Sequence, residues 1–414
     1  MKKININIVV ATVLGLCAYL NGWGVGPASV YVDDIGYNLV RDAEGKPLYA
    51  VCVGPSPFAE PADVSVREQV TATYTDAYGE EQYETFTVKE IQANAFTNLE
   101  YLRSVTIADG ITVIGAGVFQ NSRNLKSVSL PSGLEEIPEH CFGNTESLRS
   151  ISIPAGVRVI GQEAFYHSGI ESVSLSGVKR IEDRAFAGTP LTALTVPASV
   201  KYLGQQAFSD CENLGEVTIT GSDVLDCEAY PFGNSPIQTL TLNRNINYPA
   251  GSSPFAHMLS LGGVVIGADV TEIKGMVFSR ADEELLFADC PQIRSVYCRA
   301  SEPADLGNLF DEGIYSQAVL YVPQGSEAAY RSSEWWGKFS AIEADPTGVD
   351  IVEKEGVAPV VNGLAVTVPD AAGIAAYTLD GRLAAFSESS TVTLPAPGPY
   401  VVVTAGRSCK VLVR

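Results

Sequence analysis

The chain has 414 residues, 46% of them hydrophobic, and sets 27 lysines and arginines against 48 aspartates and glutamates, a formal net charge of −21 at pH 7. That length supports one large core or several small ones. That charge repels the phosphate backbone of nucleic acids and an anionic membrane surface, and its ordinary reading is a solvated acidic surface that keeps the protein soluble.

The first element is a targeting segment. Lys2 and Lys3 form a positive n-region ahead of an apolar run at 8–20. The run suits a signal-peptide core and is short for a membrane span. A signal peptide over 1–24 is expected, with small residues near Gly24 and Ala28 where cleavage can fall. No other stretch is a span candidate, so the mature chain is expected to be exported, to the cell surface or beyond, without a transmembrane span. The sequence LGLC at 14–17 is a poor lipid-attachment motif, because Leu16 is bulky where a small residue is usual. Residues 29–90 carry strand-like runs at Val30–Val32, 48–51 and 69–74, and predict a β-rich N-terminal cap.

Residues 91–300 are a repeat. Phe96, Phe119, Phe142, Phe165, Phe186, Phe208, Phe232, Phe255 and Phe278 follow one another at intervals of 23, 23, 23, 21, 22, 24, 23 and 23. An aliphatic ladder keeps step from Val105 and Ile107 through Ile151 and Ile153 to Val264 and Ile266. A period in the low twenties falls in the leucine-rich repeat range. Each unit predicts a short strand with two inward aliphatic residues, such as Ile151 and Ile153, and outward serines, such as Ser150 and Ser152. A proline then ends the run (Pro131, Pro154, Pro197), a second inward pair follows, such as Val157 and Ile160, and Ala164-Phe165 closes the unit. One unit has too little core to fold alone, and stacking supplies it, with strands in parallel at about 4.8 Å per step. The expected fold is a leucine-rich repeat solenoid of the α/β superhelix class, predominantly β with parallel strands.

The pattern L-x-x-I-x-I-P-x-x-V-x-x-I-G-x-x-A-F, as at 148–165, resembles the BspA-like leucine-rich repeat of bacterial surface and secreted proteins. The resemblance covers about residues 90 to 300 and implies a surface role, with adhesion among the family's functions. Two stretches depart from it. Residues 221–262 are degenerate, with CEAYPF at 227–232 in place of the usual turn, and the last unit carries an insertion at 279–286 ahead of Phe287.

Residues 301–345 predict the closing cap: a strand at Val319–Val322, then a short helix capped by Ser326 and running toward Trp335 and Trp336. Those tryptophans are expected to close an exposed core end rather than to form a sugar platform. The sequence DPTG at 345–348 reads as a linker. Beyond it, 349–414 alternates in short strands and predicts a small C-terminal β-sandwich. Its DGR at 380–382, GPY at 398–400 and terminal KVLVR resemble the type A sorting domain of the type IX secretion system of Bacteroidetes.

Chemistry-bearing motifs are few. Cys17 lies in the signal segment, and the other seven cysteines form no C-x-x-C. Cys211 and Cys290 hold equivalent places (FSDC, FADC) and read as small buried hydrophobes. His140, His167 and His257 read as turn residues; the last two stand four units apart, roughly 19 Å at the strand spacing, too far for one metal. No G-x-S-x-G, H-E-x-x-H or P-loop occurs, and acidic pairs such as Glu135-Glu136 and Glu182-Asp183 fall in solvated turns. Neither a cofactor, a metal nor an enzymatic activity is expected.

One row of residues stands out as a candidate site. The outward strand positions Ser104 and Thr106, Ser127 and Ser129, Ser150 and Ser152, Ser172 and Ser174, Thr195, Glu216 and Thr218, and Thr239 and Thr241 predict a strip of stacked hydroxyls, with Ala193 the one apolar member. Small polar residues also suit a crowded strand face on packing grounds alone. As a functional surface the strip is a flat polar recognition face, with Arg103, Lys126, Arg149, Glu171 and Glu216 supplying specificity. It points to a protein or glycoprotein partner, such as host extracellular matrix, or to a scaffold role in the envelope with no host ligand. Carbohydrate binding is less favoured, since the strip holds neither an aromatic platform nor a carboxylate pair.

Overall fold

The computed structural model describes residues 30–345 apart from 77, 250–251 and 276–284, and residues 360–413 apart from 363–364, 368–373, 379–382, 388, 390, 396–397 and 405–406. The signal segment with Cys17, Phe278 and the linker residues 346–348 lie outside the described residues. The chain falls into two compact units, one running to Arg294 and taking in Ala304–Gln317, the other made of Ser295–Pro303 and the chain from Ala318 onward.

In the first unit every repeat contributes to a stack. Alternating apolar and polar residues make strands, and prolines and turns keep them to two to four residues. One parallel sheet runs through Glu136–Ile137, Val159–Ile160, Arg180–Ile181, Tyr202–Leu203, Leu225–Cys227, Ile246–Tyr248 and Ile273–Gly275. This second strand of each unit is more than the inward pair expected from Val157 and Ile160, both of which are fully buried. The other face holds two separate ladders. Asp63–Val66, Ser104–Ile107 and Ser127–Ser129 form one, and Ala193–Val196, Glu216–Ile219, Thr239–Leu242 and Gly263–Ile266 form the other, all parallel.

Between these ladders the expectation of a strand in every unit fails. Among the described residues no strand forms at 150–153 or 172–175, and Ile151, Ile153 and Val173 are half-buried instead of buried. Phe165 to Phe186 is the shortest interval of the array, 21 residues, so the chain at 172–175 has less length with which to complete a strand, and 150–153, in a unit of the ordinary 23, is left without a strand on that side to pair with.

What carries the stack across this gap is the turn around each phenylalanine. From Asn94 to Asp210, the N–H groups two before, at and two after each Phe donate to carbonyls of the following unit. Phe142, for example, donates to Ala164 O at 2.7 Å, with His140 to Gln162 O at 2.9 Å and Asn144 to Tyr166 O at 2.7 Å beside it. The rings stack in step: Phe165 on Phe186 at 4.9 Å and 7°, Phe186 on Phe208 at 5.0 Å and 1°. The expected place of Phe278 in this ladder is corrected, since Phe255 stacks directly on Phe287 at 5.9 Å and Phe287 on Phe310 at 5.0 Å. The insertion displaces the phenylalanine register by nine residues, and the hydrophobic column takes the next ring that reaches it.

These turns need two left-handed residues each. Asn98, Asn121 and Asn144 hold φ of 60°, 62° and 57°, and Gly188 holds the same place at 71°. Asparagine tolerates this region and glycine adopts it freely. The asparagines also bond to one another, Asn121 Nδ2 to Asn98 Oδ1 at 2.9 Å and Asn144 Nδ2 to Asn121 Oδ1 at 2.8 Å. Asn121→Gly is therefore expected to cost less than about 1 kcal/mol. Asn121→Val, which forces a β-branched residue to positive φ, should cost an additional ~1–2 kcal/mol. Urea midpoints of the two variants check this; equal midpoints would remove backbone conformation as the reason for asparagine.

The N-terminal segment supplies a first strand to both faces. Asp63–Val66 pairs with Ser104–Ile107, and Glu81–Ile91 pairs with Val113–Ile114. Gly54, at φ 110°, abuts the first turn so closely that a Cβ there would lie 2.0 Å from Ala95 O. In the degenerate stretch, Arg244 is fully buried and spans three successive repeats. Its guanidinium donates to Val200 O (2.8 Å), Thr220 O (3.4 Å), Asp223 O (2.8 Å), Val224 O (2.9 Å) and the Asp223 carboxylate (2.7 Å).

The second unit opens with a parallel sheet of Ser295–Cys298, Val319–Val322 and Ala341–Ala344. The helix Glu327–Ser332 follows Ser326 as expected, but Ser326 makes no side-chain capping bond. Its backbone is helical already (φ −90°, ψ −8°), whereas a capping side chain needs extended backbone. Tyr330 is fully buried and donates to Ala300 O at 2.8 Å. Trp336 is buried against Tyr330 and Phe339 and closes this small core, while Trp335 stays half-buried with the Lys338 ammonium 4.5 Å from its ring. Toward the C-terminus, Val360–Asn362, Ala365–Thr367 and Thr391–Thr393 form one antiparallel sheet. Leu383–Ser387, Ile374–Thr378, Gly398–Thr404 and Arg407–Val413 form another. Val366, Ile374, Val392, Leu394 and Val402 make a shared apolar cluster.

Candidate functional site

The strip is built from residues that alternation turns away from the core. Ser104 and Thr106 pair in register with Ser127 and Ser129, and Thr195, Thr218 and Thr241 stand in one row, with Ala193, Glu216 and Thr239 beside it. Ser127, Ser129, Ser150, Ser152, Ser172, Ser174 and Thr195 are exposed, while Ser104, Glu216, Thr218, Thr239 and Thr241 are half-buried. The strip is thus continuous in order but not in pairing, because 150–153 and 172–175 belong to neither ladder.

That unpaired middle differs chemically from its flanks. In the flanking strands Val105, Ile107, Leu194 and Val196 are buried to within 4%. In the middle Ile151, Ile153 and Val173 are half-buried, as are Val128 and Leu130 at the adjoining end of the first ladder, so aliphatic edges reach solvent between the serines. A surface mixing small hydroxyls with aliphatic edges can be desolvated at low cost by a partner that supplies hydrogen bonds. Charged residues border it where the strands begin. Arg103 and Lys126 are backbone neighbours, Lys126 N donating to Arg103 O at 2.8 Å, and Arg149 Nη1 donates to Glu171 Oε1 at 3.0 Å. That pair is exposed on both sides and contributes at most about 1 kcal/mol to folding.

Two members of the strip escaped the sequence reading. Asp63 and Ser65 pair with Ser104 and Thr106, and Ser104 Oγ donates to Asp63 Oδ1 at 2.5 Å. The signal was present, since DVSV at 63–66 alternates as SVTI does at 104–107, but it lies outside the repeat period.

The histidines fall in the phenylalanine turns at positive φ: His140 at 55°, His167 at 50° and His257 at 58°. His140 Nδ1 lies 3.4 Å from Glu163, which also meets Arg184 at 3.3 Å; His167 packs edge-on against Tyr166; His257 Nδ1 lies 3.3 Å from Asp289. Among the described residues no three His, Cys, Asp or Glu side chains are placed to hold a metal ion. Cys52, Cys141, Cys211, Cys227, Cys290 and Cys298 are buried free thiols. Burial pushes Cys52 up to about 12 and Cys290 to about 11, which disfavours the nucleophilic thiolate. Of Cys409 only its place in the strand Arg407–Val413 is described. Among the described residues no helix is long and apolar enough to cross a membrane.

Comparison with known proteins agrees with this architecture. Residues 82–189 and 179–297 match the BspA type leucine rich repeat region in six copies. Among solved structures, the chain is similar to a leucine-rich repeat protein from Bacteroides ovatus, at 18% identity over 71% of this chain and 76% of that one, with a TM-score of 0.40. It is also similar to a leucine rich cell surface protein from Faecalibacterium prausnitzii (19%, 77% and 95%, 0.35) and to a leucine rich repeat protein from T. pallidum (20%, 56% and 90%, 0.34). No curated protein matches. With the period, the phenylalanine column and a family match over more than half of its length, the chain belongs to the BspA-type leucine-rich repeat family.

Proposed function

We propose that this is an exported, cell-surface or secreted binding protein that holds a protein or glycoprotein partner on the strip from Ser104 to Thr241. The observation that carries this reading is the middle of the strip, where exposed Ser150, Ser152, Ser172 and Ser174 of the unpaired segments, and Ser127 and Ser129 on the strand beside them, alternate with half-buried aliphatic residues. Binding arises from many shallow contacts summed over several units, the way extended repeat surfaces work. The role is adhesive and not catalytic, and the positive n-region with its apolar run supports export. A host extracellular-matrix protein is the proposed partner.

The test is a screen of the folded protein against extracellular-matrix proteins, mucins and glycans at physiological salt. A saturable hit is expected, and Ser150→Arg, Ser152→Arg and Ser174→Arg together should reduce it at least ~100-fold while leaving the thermal midpoint within a few degrees. Binding that survives the triple substitution places the partner elsewhere. A blank across the array moves the role to the bacterium's own envelope, as a scaffold without a host ligand.

A further inference from the structure

A groove of about 560 Å³ opens at the far end of the first unit, away from the strip's serines in sequence and built from the turns that follow Phe255 and Phe287, Asp311 and the helix Glu312–Gln317. Leu259, Pro291 and the almost fully buried Ile314 supply apolar lining. Leu259 is 66% exposed, an unusual state for a leucine beside a concavity. The rest of the lining is rich in acceptors. The Asp289 carboxylate meets His257 Nδ1 through Oδ2 and keeps Oδ1 for another donor. Asp311 accepts the Asp289 N–H through Oδ2 at 2.9 Å and likewise keeps Oδ1. Gln317 spends its Nε2 on Pro291 O and Ile293 O, at 3.2 and 3.3 Å, which leaves its amide oxygen as a third acceptor. No lysine or arginine lines the groove among the described residues.

We propose that this groove is a socket for an arginine side chain presented by a polypeptide partner. The charge complementarity is direct: the lining offers two carboxylates and an amide oxygen as acceptors, and a guanidinium brings five N–H donors where an ammonium brings three. The apolar lining accommodates the methylene arm, which needs contact with something other than water to add affinity. The groove's volume suits a single side chain with its flanking backbone. This site stands on its own observations, whether or not the strip binds a partner.

The experiment titrates the full chain with Nα-acetyl-arginine amide, followed by amide chemical shifts. Saturable binding near ~1 mM is expected, as for one side chain in a partly open site. Nα-acetyl-citrulline amide, which keeps the shape and loses the charge, should bind at least about fivefold more weakly, and Asp289→Asn should weaken arginine binding by a similar factor. Leu259→Ser should weaken it too, by removing apolar lining for the arm. Both substitutions are at exposed positions, and their thermal midpoints check the fold. The strip variant carrying Ser150→Arg, Ser152→Arg and Ser174→Arg should bind the probe normally, which separates this site from the proposed strip. A flat titration, equal binding of citrulline, or indifference to Asp289→Asn in a folded variant overturns the proposal. Free guanidinium binding as tightly as the arginine probe would make the groove a simple cation site and overturn the assignment to a side chain.

Discussion

Arg244→Met is expected to destabilise the first unit by about 3–5 kcal/mol, the cost of breaking a buried charged network by removing one partner. The substitution preserves apolar volume, so what it removes is hydrogen bonding. Four carbonyls, of Val200, Thr220, Asp223 and Val224, lose their donor together with one oxygen of the Asp223 carboxylate. Each buried acceptor left unpaired costs roughly 1–3 kcal/mol, less whatever water recovers. Asp223 is half exposed and also meets Lys201, so the carboxylate itself finds solvent and the carbonyls bear most of the loss. Burial lowers the Arg244 pKa, yet a guanidinium remains charged at every working pH. Arg244→Lys keeps that charge without the planar fork and should recover less than about half of the loss. Because repeat units hold one another only as neighbours, hydrogen exchange should accelerate first around 200–248 and much less at 96–165. A loss below about 1 kcal/mol by urea unfolding would mean that the irregular loops satisfy themselves without the arginine.

Phe186→Ala should be the most damaging single truncation in the aromatic column, at about 3–5 kcal/mol. Phe186 is fully buried and sits between rings at 4.9 and 5.0 Å, nearly parallel to both. The loss combines transfer of the side chain, a cavity that stacked units cannot easily close, and two ring contacts of roughly 0.5–1.5 kcal/mol each. Phe96 is as deeply buried but among the described residues meets one ring, Phe119 at 5.8 Å. Phe96→Ala should therefore cost less than Phe186→Ala by about one ring contact, ~1 kcal/mol. Calorimetry of both variants measures the difference; a larger loss at Phe96 would show that the cap, and not ring stacking, dominates the column.

The regular part of this fold was readable because one residue type marks one place. Phenylalanine at near-constant intervals, with aliphatic pairs in step, specifies a stack, its period and which side chains are inside. Three things were not readable. The second short sheet arises from pairs such as Val159–Ile160, too brief for any alternation to show. The gap at 172–175 falls in a unit two residues short and that at 150–153 in the unit beside it, and both sequences still alternate as a strand would. Arg244 reads in sequence as a surface residue, since nothing local reports that loops from three units converge on it. At the candidate site, the outward serines were legible from alternation, but the half-buried aliphatic edges among them depend on spacing between units. The groove by Asp289 unites residues from 257 to 317 and leaves no local pattern at all.

The phenylalanine turns have one more property. In each unit from Asn94 to Asp210, all three N–H groups point to the following unit and the accepting carbonyls point back. A β-ladder alternates these directions and cancels its peptide dipoles; this column aligns them, three per unit, as an α-helix does. Its dipole moment therefore grows with the number of units, positive toward the C-terminal end. Further along, the Asp289 N–H points the same way, and the Asp311 carboxylate stands where the pattern would otherwise place a backbone carbonyl, an anion receiving a forward-pointing N–H as at the start of a helix. An array of this kind is electrically polar along its length, and its two ends call for caps of opposite charge.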